Sequence, residues 1–277
     1  MSNASDPYLY PGTNVLRNIP GLRDSDQLAT FEITSTAARI YEQLQYPIAG
    51  EFDTAHLKAI HQHLFQDVFT WAGQFRNTLL GKAESVGHST RWFTPPHLLE
   101  REAERIFAGL HRANLLRGLP RAGFAKRAAH LLAEINKLHP FREGNGRTQR
   151  LFISAVAQHA GHEVAFDVVS RERMVLASIE AMNGTLGMMT RIFDEITDDS
   201  RLRPLRRAIA FLSAQQFNWN ETYIATTTPG ERYGGVLVGR DGDAFMMRSD
   251  DNRILVGNNT DIDAAIENGG RLSFRAA

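Results

Sequence analysis

Within residues 135–152, INKLHPFREGNGRTQRLF, a histidine, a carboxylate, an asparagine between two glycines and two arginines three residues apart are set close together. Gly144 and Gly146 let a backbone approach an anion with no Cβ in the way. Asn145 between them offers an amide donor, and Arg147 and Arg150 share one helical face and can aim at the same anion, a triphosphate better than a single phosphate. Glu143 would repel a polyphosphate unless a cation lay between, so it implies Mg²⁺ shared with the phosphates. A neutral imidazole at His139 can take a proton from an attacking hydroxyl near pH 7. Together these groups supply what transfer of a phosphorus-containing group requires. Singly, each has a plainer use: a histidine caps a helix end, Gly-Asn-Gly makes a turn, helix arginines face solvent. Their joint occurrence within residues 139–147 is what points to chemistry.

Such groups need a scaffold, and the flanking periodicity supplies helices. Leu28, Phe31, Ile33, Ala37, Ile40, Tyr41 and Leu44 predict one that stops at Pro47. Asp53 is placed to cap a second carrying Leu57, Ile60, Leu64 and Phe65. Long amphipathic helices are expected near 96–116 and 122–138, another from Gly144 to Ala160, one capped by Ser170 and one over 185–197. The motif therefore lies where one helix ends and another begins, and a helix start presents unpaired N–H groups and a positive dipole end to an anion. Phe141 is expected to plug the core and fix the loop. Residues 71–96 break the helical pattern and read as a β-hairpin closed by Pro95-Pro96. His56, His61 and His63 point in different directions on their helix and are expected to be structural, not metal ligands.

The organisation expected is an N-terminal arm over 1–30, a helical domain over 31–198, a basic connector helix over 199–220 and a small β-rich domain over 221–277. Short β-branched runs separated by Gly and Asp-Gly turns predict antiparallel strands in the last. Thirty-one basic residues balance 31 acidic ones, so no overall field draws the chain to nucleic acid or an acidic membrane, and an anion site must be local. The chain has no cysteine, which removes thiol catalysis, thiolate metal sites and disulfides. With no membrane-length apolar run and a polar start, the expectation is a protein made in the bacterial cytoplasm, with secretion into a host cell left open.

HPFREGNGR, residues 139–147, resembles the signature of the Fic (Fido) family, His-x-Phe-x-(Asp/Glu)-Gly-Asn-Gly-Arg, at every defined position, and Arg150 resembles the second arginine of its extended form. DPYLYPGTNVLRNIPGL is similar to the arm of one subgroup, WAGQFR and FTPP to the brackets of its flap hairpin, and LRGL to its inter-helix turn. The resemblance covers roughly residues 6–198. It implies a mainly α fold, a Fic-type helical bundle with a β-hairpin flap, followed here by the small C-terminal β domain. It also implies a protein adenylyltransferase: His139 the general base toward a Ser, Thr or Tyr hydroxyl, ATP the substrate, Glu143 the Mg²⁺ ligand. Gly144, Asn145 and Gly146 would form the anion hole, and Arg147 and Arg150 would hold the β- and γ-phosphates. A kinase-like branch has lysine where this chain has Gly146 and binds its nucleotide reversed, so Gly146 favours AMP transfer. The flap, about 77–93, would align a target segment by strand-like pairing, with Leu79, Lys82 and Arg91 as docking residues beside His88. Part of the adenine pocket is expected from 178–189.

Many such proteins are silenced by a helix bearing (Ser/Thr)-x-x-x-Glu-(Gly/Asn). Here Glu precedes Gly or Asn only at Glu143–Gly144 and Glu267–Asn268, and Asp263 stands where the second would need Ser or Thr. The resemblance therefore implies a separate small antitoxin whose glutamate faces Arg150, and a toxin whose favoured targets are topoisomerase ATPase subunits. With no delivery domain visible after residue 277, a translocated effector modifying host GTPases is the alternative, and a non-catalytic nucleotide-binding protein a further one, disfavoured by the intact His139.

Overall fold

The computed structural model describes residues 6–83 and 90–277. Its chain forms two compact units: residues 1–118 with 131–161, and 119–130 with 162–277. Among the described residues no helix is long and apolar enough to cross a membrane.

The first unit is built from α1 (Ser25–Gln45), α2 (Thr54–Phe65), α3 (Leu99–Arg112), the last turns of α4 (Arg121–Leu138) and α5 (Asn145–His159). Asp24 caps α1 by accepting from the N–H groups of Asp26 and Gln27, and Asp53 caps α2 by accepting from that of His56. α2 carries the core: Leu57, Ile60, Leu64 and Phe65 are all fully buried, joined by Phe107 of α3 and Phe152 of α5. Burial of this order is worth about 1.5–3 kcal/mol per large side chain.

Two expectations fail here and a third is met. On α1 the buried residues are Leu28, Thr36 and Gln43, while Ile33, Tyr41 and Leu44 are exposed; the inward face is polar because it meets an arginine, described below. The expected helix over 96–116 is interrupted. A 3₁₀ turn, Pro96–Leu98, leads into α3, and Asn114, Leu115 and Leu116 then take positive φ and reverse the chain, with Leu116 buried. The hairpin is present but short, β1 (Gly81–Ala83) against β2 (Thr90–Trp92), antiparallel with Lys82 opposite Arg91. His88, and the side chains of Lys82 and Arg91, lie outside the described residues.

The second unit holds the first turns of α4, then α6 (Arg171–Met182), α7 (Gly187–Ile196), α8 (Asp199–Ala214) and a five-stranded sheet. Ser170 caps α6 through the N–H of Arg173. The strands are β3 (Ile224–Thr226), β4 (Arg232–Asp241), β5 (Ala244–Ser249), β6 (Ile254–Asn258) and β7 (Arg271–Arg275), ordered β3-β6-β5-β4-β7. β4, β5, β6 and β7 pair antiparallel as expected, but β3 pairs parallel to β6. The turn signals between later strands were in the sequence; the return of β3 from a helix was not. Phe245, Met247, Leu237 and Leu272 form its core. A buried ion pair ties helices to sheet: an Arg173 nitrogen lies 2.6 Å from Glu195, while Arg173 also donates to the carbonyl of Ile224 and the Thr226 hydroxyl to Glu195.

Candidate functional site

The loop from Leu138 to Asn145 joins α4 to α5, and its shape comes from buried groups that do no chemistry themselves. Phe141 is 1% exposed and stacks on His61, ring centroids 3.8 Å apart. His61 in turn accepts from the N–H of Gly73 (2.8 Å) at Nδ1, so its Nε2 carries the proton and donates to the carbonyl of Glu143 (3.0 Å). Burial pushes its pKa down to about 3, so it stays neutral. His56 and His63 likewise bond backbone carbonyls, of Ile48 and Arg39, and no group of three or more metal-binding side chains occurs among the described residues.

Gly144 takes φ +80°, and a Cβ there would stand 2.2 Å from the ring of Phe65. The core and the turn by themselves require a glycine here. Asn145 has a structural use as well. Its Nδ2 donates to the carbonyl of Phe141 (2.7 Å) and its Oδ1 accepts from the N–H of Phe141 (3.0 Å), so the side chain braces the loop. What the segment can offer an anion is the backbone N–H groups of the first turn of α5, which have no intrahelical acceptor.

The two arginines divide. Arg147 is anchored to α1: it donates to Thr36 Oγ1 at 3.1 Å and to the carboxylate of Glu32, and its guanidinium lies 4.8 Å from the Phe65 ring centroid. Glu143 is 3.6 Å from it on the other side. Burial holds the Glu32 carboxyl above its ordinary pKa even against the attraction of Arg147. Arg150 folds back instead toward the helix start, its Nη1 3.4 Å from where a Cβ on Gly146 would sit. Burial, then the like charge of Arg147, lower its pKa. A larger residue at position 146 would have to displace this guanidinium.

Glu143 is half-exposed, accepts from the N–H of Gly144 (2.8 Å), and is the lone carboxylate the loop presents. That donor set fits Mg²⁺, which keeps most of its waters and shares the rest of its shell with phosphates, better than a cation needing a full protein cage. With such an ion bound, Glu143 would hold it, and the ion would supply charge neutralisation at the phosphates.

His139 stands at φ +45°, a left-handed conformation that costs a non-glycine residue on the order of 1–2 kcal/mol. Its imidazole stacks on Phe93, centroids 3.8 Å apart and planes 9° from parallel. Its carbonyl accepts from Arg76 Nε at 2.8 Å. The arm is tied to the loop by Asp6, which pairs with Arg142 at 2.7 Å, and to the segment after α2 by Tyr8, whose ring sits edge-on to Trp71. Of the docking residues expected on the hairpin, Leu79 is 58% exposed, and Trp92, which pairs with Gly81, is 61% exposed.

Glu32, Thr36, Arg76 and Phe93 were not singled out from the sequence. Only Arg76 and Phe93 had a signal, as members of WAGQFR and FTPP. Residues 178–189, the expected adenine-pocket segment, form the α6–α7 turn of the second unit, where Glu180 accepts from the N–H of Met188 at 2.6 Å.

A helix-borne anion cradle with a histidine at its entrance and a strand-like hairpin on its own lobe defines a class of nucleotide-handling proteins, and comparison with known proteins narrows it. The model of the Fic/DOC family matches residues 51–157. A probable protein adenylyltransferase of Sinorhizobium fredii is 43% identical over 182 residues, spanning 65% of this chain and 90% of that protein. The chain belongs to the Fic/DOC family. Among solved structures, the type IV secretion system effector protein BepA is 30% identical with a TM-score of 0.88, covering 97% of this chain and 95% of that one. The N-terminal Fic domain of a putative cell filamentation protein from Bartonella quintana, solved with bound ADP, is 33% identical with a TM-score of 0.62, covering 71% and 97%.

Proposed function

We propose that this chain transfers AMP from ATP to a hydroxyl side chain of a target protein. His139 takes the proton of a Ser, Thr or Tyr hydroxyl. The freed oxygen attacks the α-phosphorus, the new O–P bond forms as the bond to the β-phosphate bridging oxygen breaks, and pyrophosphate leaves. The backbone N–H groups at the start of α5 and the guanidiniums of Arg147 and Arg150 offset the phosphate charge, and Glu143 is the Mg²⁺ ligand. The hairpin, through Leu79, Lys82 and Arg91, holds the target strand.

The observation that supports this reading is Arg150 turned back toward the start of α5, where the half-exposed Glu143 carboxylate stands one residue before the helix cap, with the His139 imidazole held flat on Phe93 at the other end of the same loop. The protein adenylyltransferase relative supports the activity, and a related Fic domain with bound ADP supports the nucleotide. We assign the chain as the toxin of a toxin–antitoxin pair, with topoisomerase ATPase subunits as the favoured targets and a small helical antitoxin placing a glutamate against Arg150. The alternative, a translocated effector, draws on the likeness to BepA, which extends over 97% of this chain and so includes the β-rich region.

The test is a bacterial lysate incubated with the purified chain, Mg²⁺ and ATP labelled on the α-phosphate, beside His139→Ala. Label on a discrete protein, with the mass increment of one AMP and with wild type alone, is the expected result. Equal labelling by His139→Ala, or none by either, contradicts it.

A further inference from the structure

Arg76 lies at the end of the segment before the hairpin, is 2% exposed, and bonds only to carbonyl oxygens among the described residues. Those carbonyls come from three places. Nη1 donates to Thr78 (2.6 Å), where the chain enters the hairpin, and Nη2 to Thr94 (2.6 Å), where it leaves. Nε donates to His139 (2.8 Å), and Nη2 also approaches Leu138 (3.5 Å). The backbone N–H of Arg76 adds a bond to Pro140 (2.8 Å). A planar guanidinium with donors in a fixed fork is suited to hold separate acceptors at set angles, which a lysine cannot do. Burial lowers its pKa only to about 10, so the charge is present at neutral pH.

The return strand carries the same constraint to the imidazole. Phe93 bonds through its N–H to Leu80, keeping the hairpin base closed, and its ring lies flat on His139. Thr94 donates from both N–H and hydroxyl to the carbonyl of Lys137 at 3.2 Å, fastening the strand to the end of α4. The phosphate-facing groups of α5 are outside this network; Arg147 is held from α1.

We propose that Arg76 is the positioning residue of the reaction: it fixes the base of the hairpin against the His139 backbone, and Phe93 passes that placement to the imidazole. Resting on the reading of His139 as general base and the hairpin as target dock, this makes the distance between acceptor hydroxyl and base a property of one buried guanidinium. Misplacement of reacting groups by an ångström costs rate far more than it costs nucleotide binding.

The test uses the full chain with Arg76→Lys, which keeps the charge and loses the fork. ADP affinity by calorimetry is expected within about twofold of wild type, while AMP transfer from α-labelled ATP to lysate proteins falls about a hundredfold. Deuterium uptake is expected to rise in peptides covering 77–83, 90–95 and 137–141 and to stay level across 145–155. Transfer within threefold of wild type, a parallel loss of ADP affinity, or unchanged uptake at the hairpin base overturns the proposal. Should Arg76→Lys fail to fold, Phe93→Leu decides: about a tenfold loss of transfer at unchanged ADP affinity supports it, and full transfer overturns it. A wild-type chain that transfers nothing counts against the proposed function, and the uptake measurement then decides the clamp by itself.

Discussion

Two clusters of charge, one in each unit, differ in what they leave unused. In the second unit, Arg173 and Glu195 are 1% and 0% exposed, and their acceptors and donors are the helices and strand they join. In the first unit, Glu143 is 45% exposed and Arg147 23%, and Arg150 leans over a helix start whose N–H groups face outward. A buried ion pair bonded to the helices and strand around it holds a fold; a half-exposed set beside unpaired N–H groups is the one we propose binds a ligand. Arg76 shows a third arrangement, a buried cation satisfied wholly by carbonyls, so that its charge is spent on geometry.

That contrast breaks most sharply at His139. His139→Ala is expected to cut AMP transfer by about 10²–10⁴-fold with the unfolding midpoint nearly unchanged, as loss of a general base does; a matching loss of stability would make the residue structural. Arg173→Ala should do the reverse. Stranding Glu195 in the core is expected to cost about 3–5 kcal/mol in urea unfolding, whereas replacing both partners by apolar residues should cost much less. Within the cradle, Arg150→Ala should weaken ATP binding roughly 10- to 100-fold, the worth of about 1.5–3 kcal/mol for a charged hydrogen bond, with little effect on folding. Arg147→Ala should lose both, because it leaves Glu32 half-buried without its cation.

The last effect expected is on pH dependence. His61 is held neutral by burial with a pKa near 3, below the ordinary 6.5, so the unfolded chain binds the extra proton between those values. Stability contributed by this group is complete above about pH 6.5 and is lost as pH falls toward 3, at no more than about 1.4 kcal/mol per pH unit. Urea titrations at a series of pH values, with His61→Phe for comparison, measure it; a wild-type curve as flat as the variant's would show that His61 already protonates in the fold.

The helical lobe and its loop were legible because their signals are local: Asp53 and Ser170 as caps, Phe141 as an apolar residue stranded among charges, glycines on either side of Asn145. The uses of those residues were less so. Asn145 bonds its own loop, and Gly144 makes room for Phe65, 79 residues earlier, contacts that come from packing and loop shape and not from spacing. Glu32 and Thr36 escaped notice for the same reason: a polar helix face reads as solvated until an arginine from another helix is laid against it. The parallel pairing of β3 with β6 depends on how a strand returns from a helix, and turn residues say nothing of that.

We propose that the imidazole and the α5 cradle serve transfer of AMP and not of phosphate. Two parallel reactions with a bacterial lysate, one with ATP labelled on the α-phosphate and one on the γ-phosphate, test it most directly. Protein-bound label from the α position that is lost with His139→Ala is expected, and no label from the γ position that depends on His139. Protein-bound γ label present with wild type and lost with His139→Ala would contradict it, for it would mean that the nucleotide lies in the cradle the other way round.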